Sequence, residues 1–545
     1  MFIGSAWPYA NGPLHLGHVS ALLPADVLAR YFRLRGDAVF FDSGSDSHGT
    51  PISVKAEAEG VPPADVATRY HEELKREFEA LGFRYDVYSK TTTPRHAALV
   101  REIFTTLKDK GYLVEREQTQ AYCEHDRRFL PDRYVEGTCP VCGFAPARGD
   151  QCDNCSSLLE PEKLLDPKCT LSGHTPVWKS TKHFFFQLSS FAEHLQAWVG
   201  QQTTWRPNAL AFTKQFFTDG LKERAITRDI DWGVPVPVDG YEQKRIYVWF
   251  EAVCGYYTAH REFVEGQGHP DAWKPFWDPA ARGDQVRHYY VHGKDNIPFH
   301  TIIWPSILLG VGGLHLPTTI VSSEYLTIEG KKLSTSRNWA VWVPDVLKRY
   351  QPDAIRYYLL ANGPETRDAD FSWDAFVAKT NNELVATYGN FVQRLTSFVR
   401  KQFPDGLPAA SAADSQAIVG KAEALFDSIG QKVEAARFKD AIAELFAFLG
   451  EANRWLDGQA PWKRIQDDRA AAVATLAAGL RVVANLARLT APFLPFQAER
   501  LAAALGQEVA WEPAPAPPTL TPLDPLFAKI DPKAAQAERA KLGQA

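Results

Sequence analysis

The most specific chemical pattern in the chain is a group of four cysteines. Two C-x-x-C pairs stand nine residues apart and contain Cys139, Cys142, Cys152 and Cys155. Four thiolates at this spacing can complete the tetrahedral shell of a zinc ion, and a complete shell leaves no open position for a substrate. Paired cysteines in a chain without a secretory signal favour metal over disulfides. The pattern therefore predicts one structural zinc site.

Two histidines three residues apart form a second pattern, in the segment NGPLHLGH at residues 11–18. They follow a short apolar run and precede a long helical pattern, so His15 and His18 are predicted at the first turn of a helix. A helix N-terminus attracts phosphate through its free N–H groups and its dipole. Imidazoles there can donate to phosphate oxygens as charge develops, and Gly17 allows a ligand to approach the backbone. Alone, the pattern fits two ordinary surface or N-cap histidines equally well.

A third pattern is the lysine-rich segment IEGKKLSTSRN near residue 330, which follows the strand-like segment TTIVSSEYLTI. A cationic loop that faces a helix N-terminus can hold a triphosphate while pyrophosphate leaves. Alone, this segment is more typical of a solvated surface turn. Its meaning depends on whether it lies near the two histidines.

The elements that must position these groups begin with strand-like and helical runs that alternate over residues 1–115, which predicts βαβ units and a parallel sheet. A segment rich in Cys, Gly, Pro and Asp then interrupts the sheet, and residues 180–230 are predicted as helical. Sheet character returns in KRIYVWF and VRHYYVHGKD. Residues 380–505 are predicted as a helical bundle, because their apolar residues repeat with the helical period. The proline-rich residues 512–525 are predicted as an extended strap.

Composition limits the broad class of protein. The chain has 545 residues, of which 45% are hydrophobic and 23% charged, as in soluble globular proteins of several domains. A net charge of −5 excludes nucleic-acid binding driven by the charge of the whole chain, so such binding must use a local surface. We find no signal peptide and no uninterrupted apolar stretch that would span a bilayer. We therefore expect a cytoplasmic protein without a membrane partner.

The order and chemistry of the second and third patterns resemble the class I aminoacyl-tRNA synthetases, where HLGH is similar to the HIGH element and KLSTS to the KMSKS element. Six further segments, in register over most of the chain, resemble the methionyl-tRNA synthetase family: AWPYANGPLHLGH, GSDSHGTPI, FLPDRYVEGTCPVC, YVWFEAVCGY, GKDNIPFHTIIWP and NRWLDGQAPW. The resemblance implies an α/β fold, with a Rossmann-like parallel-sheet catalytic domain, an inserted zinc-binding module and an α-helical anticodon-binding bundle. It also implies ATP, its Mg²⁺, methionine and tRNA(Met) as partners.

The resemblance divides the chain into six regions. The two halves of the catalytic domain are residues 1–115 and 221–325, with the zinc-knuckle insert at 116–220 between them. A stem-contact region with the KLSTS loop, the anticodon-binding bundle and a proline-rich tail follow at 326–380, 381–510 and 511–545. No further C-terminal dimerising domain is visible, so we expect a monomer.

The resemblance also assigns roles to individual residues. The catalytic residues would be His15, His18 and Lys332. The residues that bind ATP would be Asn11, His15, Gly17, His18, Gly293, Asp295, Lys331, Lys332 and Thr335. The residues that bind methionine would be Trp7, Asp46, Trp249, Tyr256 and His300, with Asp46 receiving the ammonium. The anticodon would be read by Asn390, Arg394 and Trp462, since RNA bases are held by stacking and by amide or guanidinium contacts.

Four positions depart from the family pattern. Thr335 replaces the second lysine of KMSKS, and Trp7 replaces a common leucine in the methionine pocket. Some members carry a second four-cysteine site, but here Cys123 and Cys169 stand with Asp126 and Ser172 in the expected partner positions. His125 and His174 lie nearby, and we expect a single zinc with a relic second site.

Two alternatives compete with this interpretation. Another class I synthetase would be specific for cysteine, leucine, isoleucine or valine. However, the branched-chain enzymes carry a long editing insert for which there is no room, and the cysteine enzyme keeps its zinc in the active site. The second alternative is a retired paralogue that binds RNA or makes only the adenylate, which the departures at Thr335 and Trp7 keep open.

Overall fold

The structure is a computed structural model of the 545-residue chain. It describes every residue except 132–133, 150–151, 153, 156, 158, 160, 283–284, 336, 409–415, 518 and 545.

A five-stranded parallel sheet forms the centre of the catalytic part. Its strands lie in the order Thr319–Ser323, His288–Gly293, Phe2–Ser5, Phe40–Ser45 and Val87–Lys90. The first strand of the chain is therefore at the middle of the sheet, where its carboxyl end meets those of its neighbours. Ligands bind at this edge in open parallel sheets. The predicted parallel sheet is confirmed.

Helices cover both faces of this sheet and are apolar on their inner sides. One core cluster includes Phe41 and Tyr289 and continues into the C-terminal bundle, while the other includes Phe2 and Tyr290 on the opposite face. The helices of the catalytic part lie in the chain between the first strand of the sheet, Phe2–Ser5, and its last, Thr319–Ser323. They are Leu16–Leu34, Thr50–Glu59, Pro63–Ala80, Pro94–Asp109, Val248–Glu251, Gly255–Gly266, Lys274–Trp277, Pro279–Arg282 and Trp304–Val311.

The insert lies in the chain between strands Val87–Lys90 and His288–Gly293, and its sheets are antiparallel. Its larger sheet has the order Arg224–Ala225, Val177–Phe186, Leu113–Cys123 and Arg128–Phe129. A smaller sheet has the order Ala147–Arg148, Val135–Thr138 and Leu165–Cys169, and a two-stranded sheet pairs Thr227–Arg228 with Arg245–Ile246. Helices Ala192–Gly200 and Pro207–Thr218 follow the long strands.

The helical prediction for residues 180–230 is wrong at its start. Strand Val177–Phe186 pairs with Leu113–Cys123 along its whole length. Its last residues, His183, Phe184 and Phe186, are buried in the insert. Aromatic residues favour strands, and a partner more than fifty residues earlier in the chain completes the ladder. The helices begin only after this strand.

The lysine-rich loop belongs to a separate three-stranded sheet, in the order Lys331–Lys332, Leu326–Ile328 and Ala369–Phe371. In the chain, helices Val343–Val346 and Pro352–Ala361 lie between strands Lys331–Lys332 and Ala369–Phe371. The third strand leads directly into the helical bundle. Its connection to the bundle is short, because Ser372 is both the residue after the strand and the N-cap of helix Trp373–Lys379.

The predicted helical bundle is confirmed. Helix Trp373–Lys379 continues through a π-helical stretch, Thr380–Gly389, into Asn390–Gln402 without a break. The remaining helices are Gln416–Glu434, Phe438–Gln459, Pro461–Asp467, Arg469–Thr490, Pro495–Ala504 and Lys533–Arg539. Arg469–Thr490 is long and apolar enough to cross a membrane, but 72% of its apolar window is buried within the protein. We therefore interpret it as a core helix of the bundle.

Candidate active site, zinc module and RNA-binding face

The two histidines lie where the sequence places them, at the N-terminus of helix Leu16–Leu34. His15 is the N-cap, and its Nδ1 accepts the backbone N–H of His18 at 3.2 Å. In return, His18 Nδ1 lies 3.4 Å from the backbone N of His15 and accepts its N–H. The two rings stack with centroids 3.6 Å apart. Because each Nδ1 is an acceptor, the proton of a neutral ring resides on Nε2 and is available to a ligand.

Both rings are neutral near pH 7. Burial lowers the pKa of His18 to about 4. Burial, followed by the neighbouring His18, lowers the pKa of His15 well below its ordinary value. Neutral imidazoles donate without the cost of a buried charge, and the helix N-terminus adds its own positive potential. The pair can therefore stabilise charge that develops on phosphate oxygens.

The lysine loop packs against the same helix start. A Cβ at Gly17 would lie 3.0 Å from His15 Nδ1 and 3.1 Å from Leu333 Cδ1, so the absence of a side chain lets the loop approach. The backbone N–H of Leu16 donates to Val341, and that of Val343 donates to Leu14. The helix start and the segment after the loop are therefore joined. The structure thus brings together two patterns that stand more than 300 residues apart.

The two lysines of the loop are exposed and project from a short strand. Lys331 Nζ lies 4.3 Å from the centroid of the Trp339 ring, while Lys332 is the second residue of the strand. Thr335 is exposed at the turn, and its carbonyl accepts the N–H of Asn338. Ser336 lies outside the described residues. The hairpin is anchored at Glu329, whose Oε1 accepts the N–H of Trp373, the first residue of the bundle.

The other predicted ATP-binding residues lie at the same carboxyl edge of the sheet. Gly293 ends the strand next to the first strand, and Asp295 follows it and accepts the hydroxyl of Tyr325. The carbonyl of Asn11 accepts Lys55 Nζ at 2.8 Å. Gly293 lies beside helix Leu16–Leu34, because a Cβ at this glycine would be 4.0 Å from the Cβ of Ala21.

Asp46 lies just after strand Phe40–Ser45 and is only 5% exposed. Its backbone pairs with Pro8 and Ala10 in the segment that follows the first strand. One carboxyl oxygen, Oδ1, lies 3.3 Å from the backbone N of His48. Burial, together with the charge of Glu251, raises the pKa of Asp46 well above its ordinary value. A bound cation next to this carboxyl group would stabilise its ionised form and lower its pKa.

Tyr256 and His300 form a buried polar pair beside the sheet. His300 Nδ1 lies 2.8 Å from the carbonyl of Asn296, and its Nε2 lies 2.8 Å from the Tyr256 hydroxyl. Burial lowers the pKa of His300 to about 4, so the ring is neutral. The ring therefore donates a hydrogen bond from Nδ1–H to the Asn296 carbonyl and accepts one at Nε2 from the Tyr256 hydroxyl. Trp249, which is 47% exposed, donates its indole N–H to the hydroxyl of Tyr9.

Trp7 occupies a slot between two glycines. A Cβ at Gly44 would lie 2.8 Å from the indole, and a Cβ at Gly255 would lie 2.8 Å from its opposite edge. The larger ring at this position is therefore accommodated by residues without side chains on two other elements. The replacement of the family's common leucine by Trp7 did not by itself predict that Gly44 and Gly255 would leave space for the larger ring.

Sequence reasoning also missed a buried carboxylate with two histidine partners. Glu251 is fully buried, and its two oxygens lie 3.0 Å from His48 Nδ1 and 2.6 Å from His96 Nε2. His96 Nδ1 lies 2.7 Å from the Thr258 hydroxyl. His48 connects this group to Asp46 through its backbone. The only signal in the sequence was the position of His48 in GSDSHG, two residues after Asp46.

The four cysteines of the predicted zinc site converge. Every pair of their sulfur atoms lies within 4.8 Å, with Cys139 and Cys155 at 3.9 Å and Cys142 and Cys152 at 3.6 Å. Tetrahedral ligands on bonds of about 2.3 Å are about 3.8 Å apart, so the cluster has the dimensions of a zinc shell. None of the four forms a disulfide. The donor set therefore fits a structural zinc ion.

The residues predicted to read RNA lie together on the bundle. The guanidinium of Arg394 is 4.8 Å from the centroid of the Trp462 ring and pairs with Asp457 at 2.5 Å. Asn390 begins the same helix and lies one turn before Arg394. Arg394 and Trp462 are 68 positions apart in the chain, and the packing of the bundle helices brings them together. An aromatic ring and a guanidinium side by side can hold a splayed base.

Comparison with known proteins agrees with these observations. Residues 1–396 match the family described as tRNA synthetases class I (M), and residues 404–537 match the anticodon binding domain of methionyl tRNA ligase. A methionine–tRNA ligase of Bacillus mycoides (strain KBAB4) is 48% identical over 547 residues, 99% of each chain. Another, from Thermomicrobium roseum, is 49% identical over 521 residues, 94% of this chain and 88% of the relative.

The crystal structure of a methionyl-tRNA synthetase of Mycobacterium tuberculosis, bound by methionyl-adenylate, superposes with a TM-score of 0.79. The two sequences are 25% identical, and the match covers 97% of this chain and 99% of that one. With a family model over the whole catalytic part and relatives near half identity over the full length, the chain belongs to the methionyl-tRNA ligase family of class I tRNA synthetases.

Proposed function

We propose that this chain is an ATP-dependent ligase that joins methionine to the 3′ end of tRNA(Met), for both initiation and elongation of translation. The observation that carries the proposal is the common edge of the sheet. There Asp46, the helix N-terminus with His15 and His18, and His300, the partner of Tyr256, follow three neighbouring strands. The first group suits an ammonium, the second a triphosphate, and the third a soft side chain.

In the first step, a carboxylate oxygen of methionine attacks the α-phosphorus of ATP, and the bond to the β-phosphate oxygen breaks. Pyrophosphate leaves with Mg²⁺, and methionyl-adenylate remains. His15 and His18 donate Nε2–H to phosphate oxygens, while Lys331 and Lys332 stabilise the departing pyrophosphate. Thr335 would contribute a hydroxyl where a second lysine is expected, and Lys331 or Arg337 would supply the missing positive charge.

Methionine would bind with its ammonium against Asp46 and its thioether near Tyr256 and His300. Trp7 and Trp249 would supply aromatic surface, which favours a polarisable sulfur. The neutral state of His300 supports this assignment, because a charged ring would disfavour an apolar side chain. Asn11, Gly17, Gly293 and Asp295 would surround the nucleotide.

In the second step, a hydroxyl of the terminal ribose of tRNA attacks the carbonyl carbon of the adenylate, and AMP leaves. Asn390, Arg394 and Trp462 would bind the anticodon. Zinc on the four cysteines would supply no reacting group, because its shell is complete. It would instead fix the insert at 116–220, between the two halves of the catalytic domain at 1–115 and 221–325.

The remaining regions follow the same scheme. We assign residues 326–380 to contact with the tRNA stem, 381–510 to the anticodon-binding bundle and 511–545 to the tail. We also propose that the protein is a monomer of the cytoplasm.

The test is aminoacylation of total tRNA with each member of a panel of labelled amino acids and ATP. Charging with methionine alone is the expected result. Pyrophosphate exchange on the same panel separates activation from transfer. Exchange with methionine but no charging would contradict the ligase and favour a protein that stops at the adenylate. Charging with another amino acid would contradict the assigned pocket.

A further inference from the structure

The fully buried carboxyl group of Glu251 has no role in the proposed reaction so far. Glu251 ends the same short helix that carries Trp249. Its two oxygens lie 3.0 Å from His48 Nδ1 and 2.6 Å from His96 Nε2. These histidines come from two other parts of the chain, the turn after the second strand and helix Pro94–Asp109. One side chain therefore joins three segments that are far apart in the sequence.

Glu251 is ionised in this setting. Burial alone would raise its pKa, but the neighbouring His48 and His96 hold the pKa of Glu251 below its ordinary value. An ionised carboxylate has no proton to donate, so the ring nitrogen of each histidine that faces it must carry one. A buried N–H that lost this acceptor would be costly. The orientations of both rings therefore depend on one carboxylate.

A first path leads from Glu251 to Asp46. The backbone N of His48 lies 3.3 Å from Asp46 Oδ1 and donates to it. The residue between them is also held, because the Ser47 carbonyl accepts the indole N–H of Trp232 at 2.7 Å. The Trp232 indole packs edge-on against the His48 ring, with centroids 5.2 Å apart. The His48 ring thus lies against both Glu251 and Trp232, and its backbone holds one oxygen of Asp46.

A second path leads through His96 to the aromatic residues of the predicted pocket. His96 Nδ1 lies 2.7 Å from the hydroxyl of Thr258, which follows Tyr256 by two residues in the same helix. The His96 ring also lies beside Trp7, with centroids 6.5 Å apart. The carboxylate of Glu251 therefore supports the surroundings of the predicted methionine site from two directions.

We propose that Glu251 is a positioning residue for the ammonium of the amino acid, because it holds Asp46 through His48 in the orientation that accepts this group. Glu251 has no exposed surface and would not touch the substrate. A carboxylate that is oriented before binding does not have to be ordered when the ligand arrives, which favours binding. This inference rests on the proposed assignment of Asp46 to the ammonium.

The test compares two ligands that differ only in the amine. Methioninol carries the ammonium, and 4-(methylthio)butan-1-ol lacks it. Isothermal titration calorimetry on the full-length chain gives the Kd of each. Glu251→Gln should weaken the binding of methioninol about tenfold and change that of the alcohol by less than about twofold. Equal weakening of both ligands would indicate general damage to the pocket and would overturn the proposal.

A double-mutant cycle separates orientation of Asp46 from a merely structural role. In an Asp46→Asn background, Glu251→Gln should not weaken methioninol further, because the group that it orients no longer pairs with the ammonium. A further tenfold loss there would contradict the proposal. Asp353→Asn is the control for the loss of a fully buried carboxyl group, since Asp353 accepts the backbone N–H of Gln497 instead. It should change neither Kd.

Variants of His48 test the same path if Glu251→Gln does not fold. His48→Ala removes the contact with Glu251 and should weaken methioninol selectively. His48→Asn places an amide N–H near the position of Nδ1 and should restore much of the binding. Full methioninol binding in His48→Ala would overturn the proposal.

The native chain shows which of the two proposals fails. If it binds methioninol no better than 4-(methylthio)butan-1-ol, the assignment of Asp46 to the ammonium is wrong. If the native chain prefers methioninol and Glu251→Gln prefers it equally, the assignment stands and only the role of Glu251 is refuted.

Discussion

The slot that holds Trp7 gives the sharpest test of the pocket. Gly255 has helical dihedral angles, with φ of −49° and ψ of −42°, at the start of helix Gly255–Gly266. Alanine at this position is therefore unstrained in the backbone, and in a helix it is favoured over glycine by about 1 kcal/mol. The added Cβ, however, would lie 2.8 Å from Cζ2 and 2.9 Å from Cη2 of Trp7. Those distances are about 1 Å shorter than a comfortable carbon contact.

The indole cannot escape toward the other side of the slot, because Gly44 lies against it there. Overpacking of this kind costs about 1 to 3 kcal/mol. Gly255→Ala should thus destabilise the native chain by up to about 2 kcal/mol, once the gain in helix propensity is subtracted. In a Trp7→Leu background, the clash is removed and the same substitution should be neutral or slightly stabilising. The coupling between the two positions is then about 1 to 3 kcal/mol.

Urea denaturation of the four proteins of this cycle measures that coupling. Gly266→Ala, in the same helix with no neighbour within 4 Å of its Cβ, is the control for helix propensity alone. Pyrophosphate exchange on the same proteins should show a higher KM for methionine in Gly255→Ala, because the indole is displaced. If the two substitutions add within about 0.5 kcal/mol, the indole does not occupy the slot and the reasoning fails.

Further outcomes are expected at three other sites. His18→Ala should lower pyrophosphate exchange by about 100-fold, because one donor to a developing charge is lost. The native rate should not rise between pH 8 and 6, since a ring with a pKa of about 4 stays neutral there; a rise would show that imidazolium is the active form. The KM for methionine should fall as the pH rises through the elevated pKa of Asp46, because only the ionised carboxyl pairs with the ammonium. In Asp46→Asn, which cannot ionise, the KM for methionine should not change with pH. If the KM of the native chain is also independent of pH, the prediction is contradicted. Arg394→Ala should raise the KM for tRNA about tenfold at unchanged pyrophosphate exchange. The exposed Arg400 on the same helix is the control, and equal effects of the two substitutions would argue against a specific face.

The sequence predicted the sites whose interacting residues lie close together in the chain. The four cysteines lie within 17 residues, so their spacing alone determined the site. His15 and His18 stand on one turn of one helix, and the helical period of residues 381–402 marked the buried face of the bundle. In each case, the residues that interact are close in the chain, and the interaction repeats at a known interval.

Long-range contacts explain what the sequence did not predict. Glu251 meets His48 and His96 across 203 and 155 residues, and no local pattern marks those distances. Residues 180–186 are predicted as helix from the sequence but belong to strand Val177–Phe186, whose pairing partner lies more than fifty residues earlier in the chain. The slot for Trp7 required Gly44 and Gly255 on two other elements. In all three cases, tertiary packing decides the local structure or the environment of the residue.

The connection between Glu329 and Trp373 has a mechanical consequence. The helix that begins at Trp373 runs unbroken to Gln402, through the position of Arg394, and so forms a rod roughly 40 Å long. Its base is bonded to the turn of the hairpin that carries Lys331 and Lys332. A tilt of about 5° at this base would move the far end of the rod by about 3.5 Å. If this helix tilts as a unit about the lysine hairpin, the displacement is largest at the surface that would touch the anticodon.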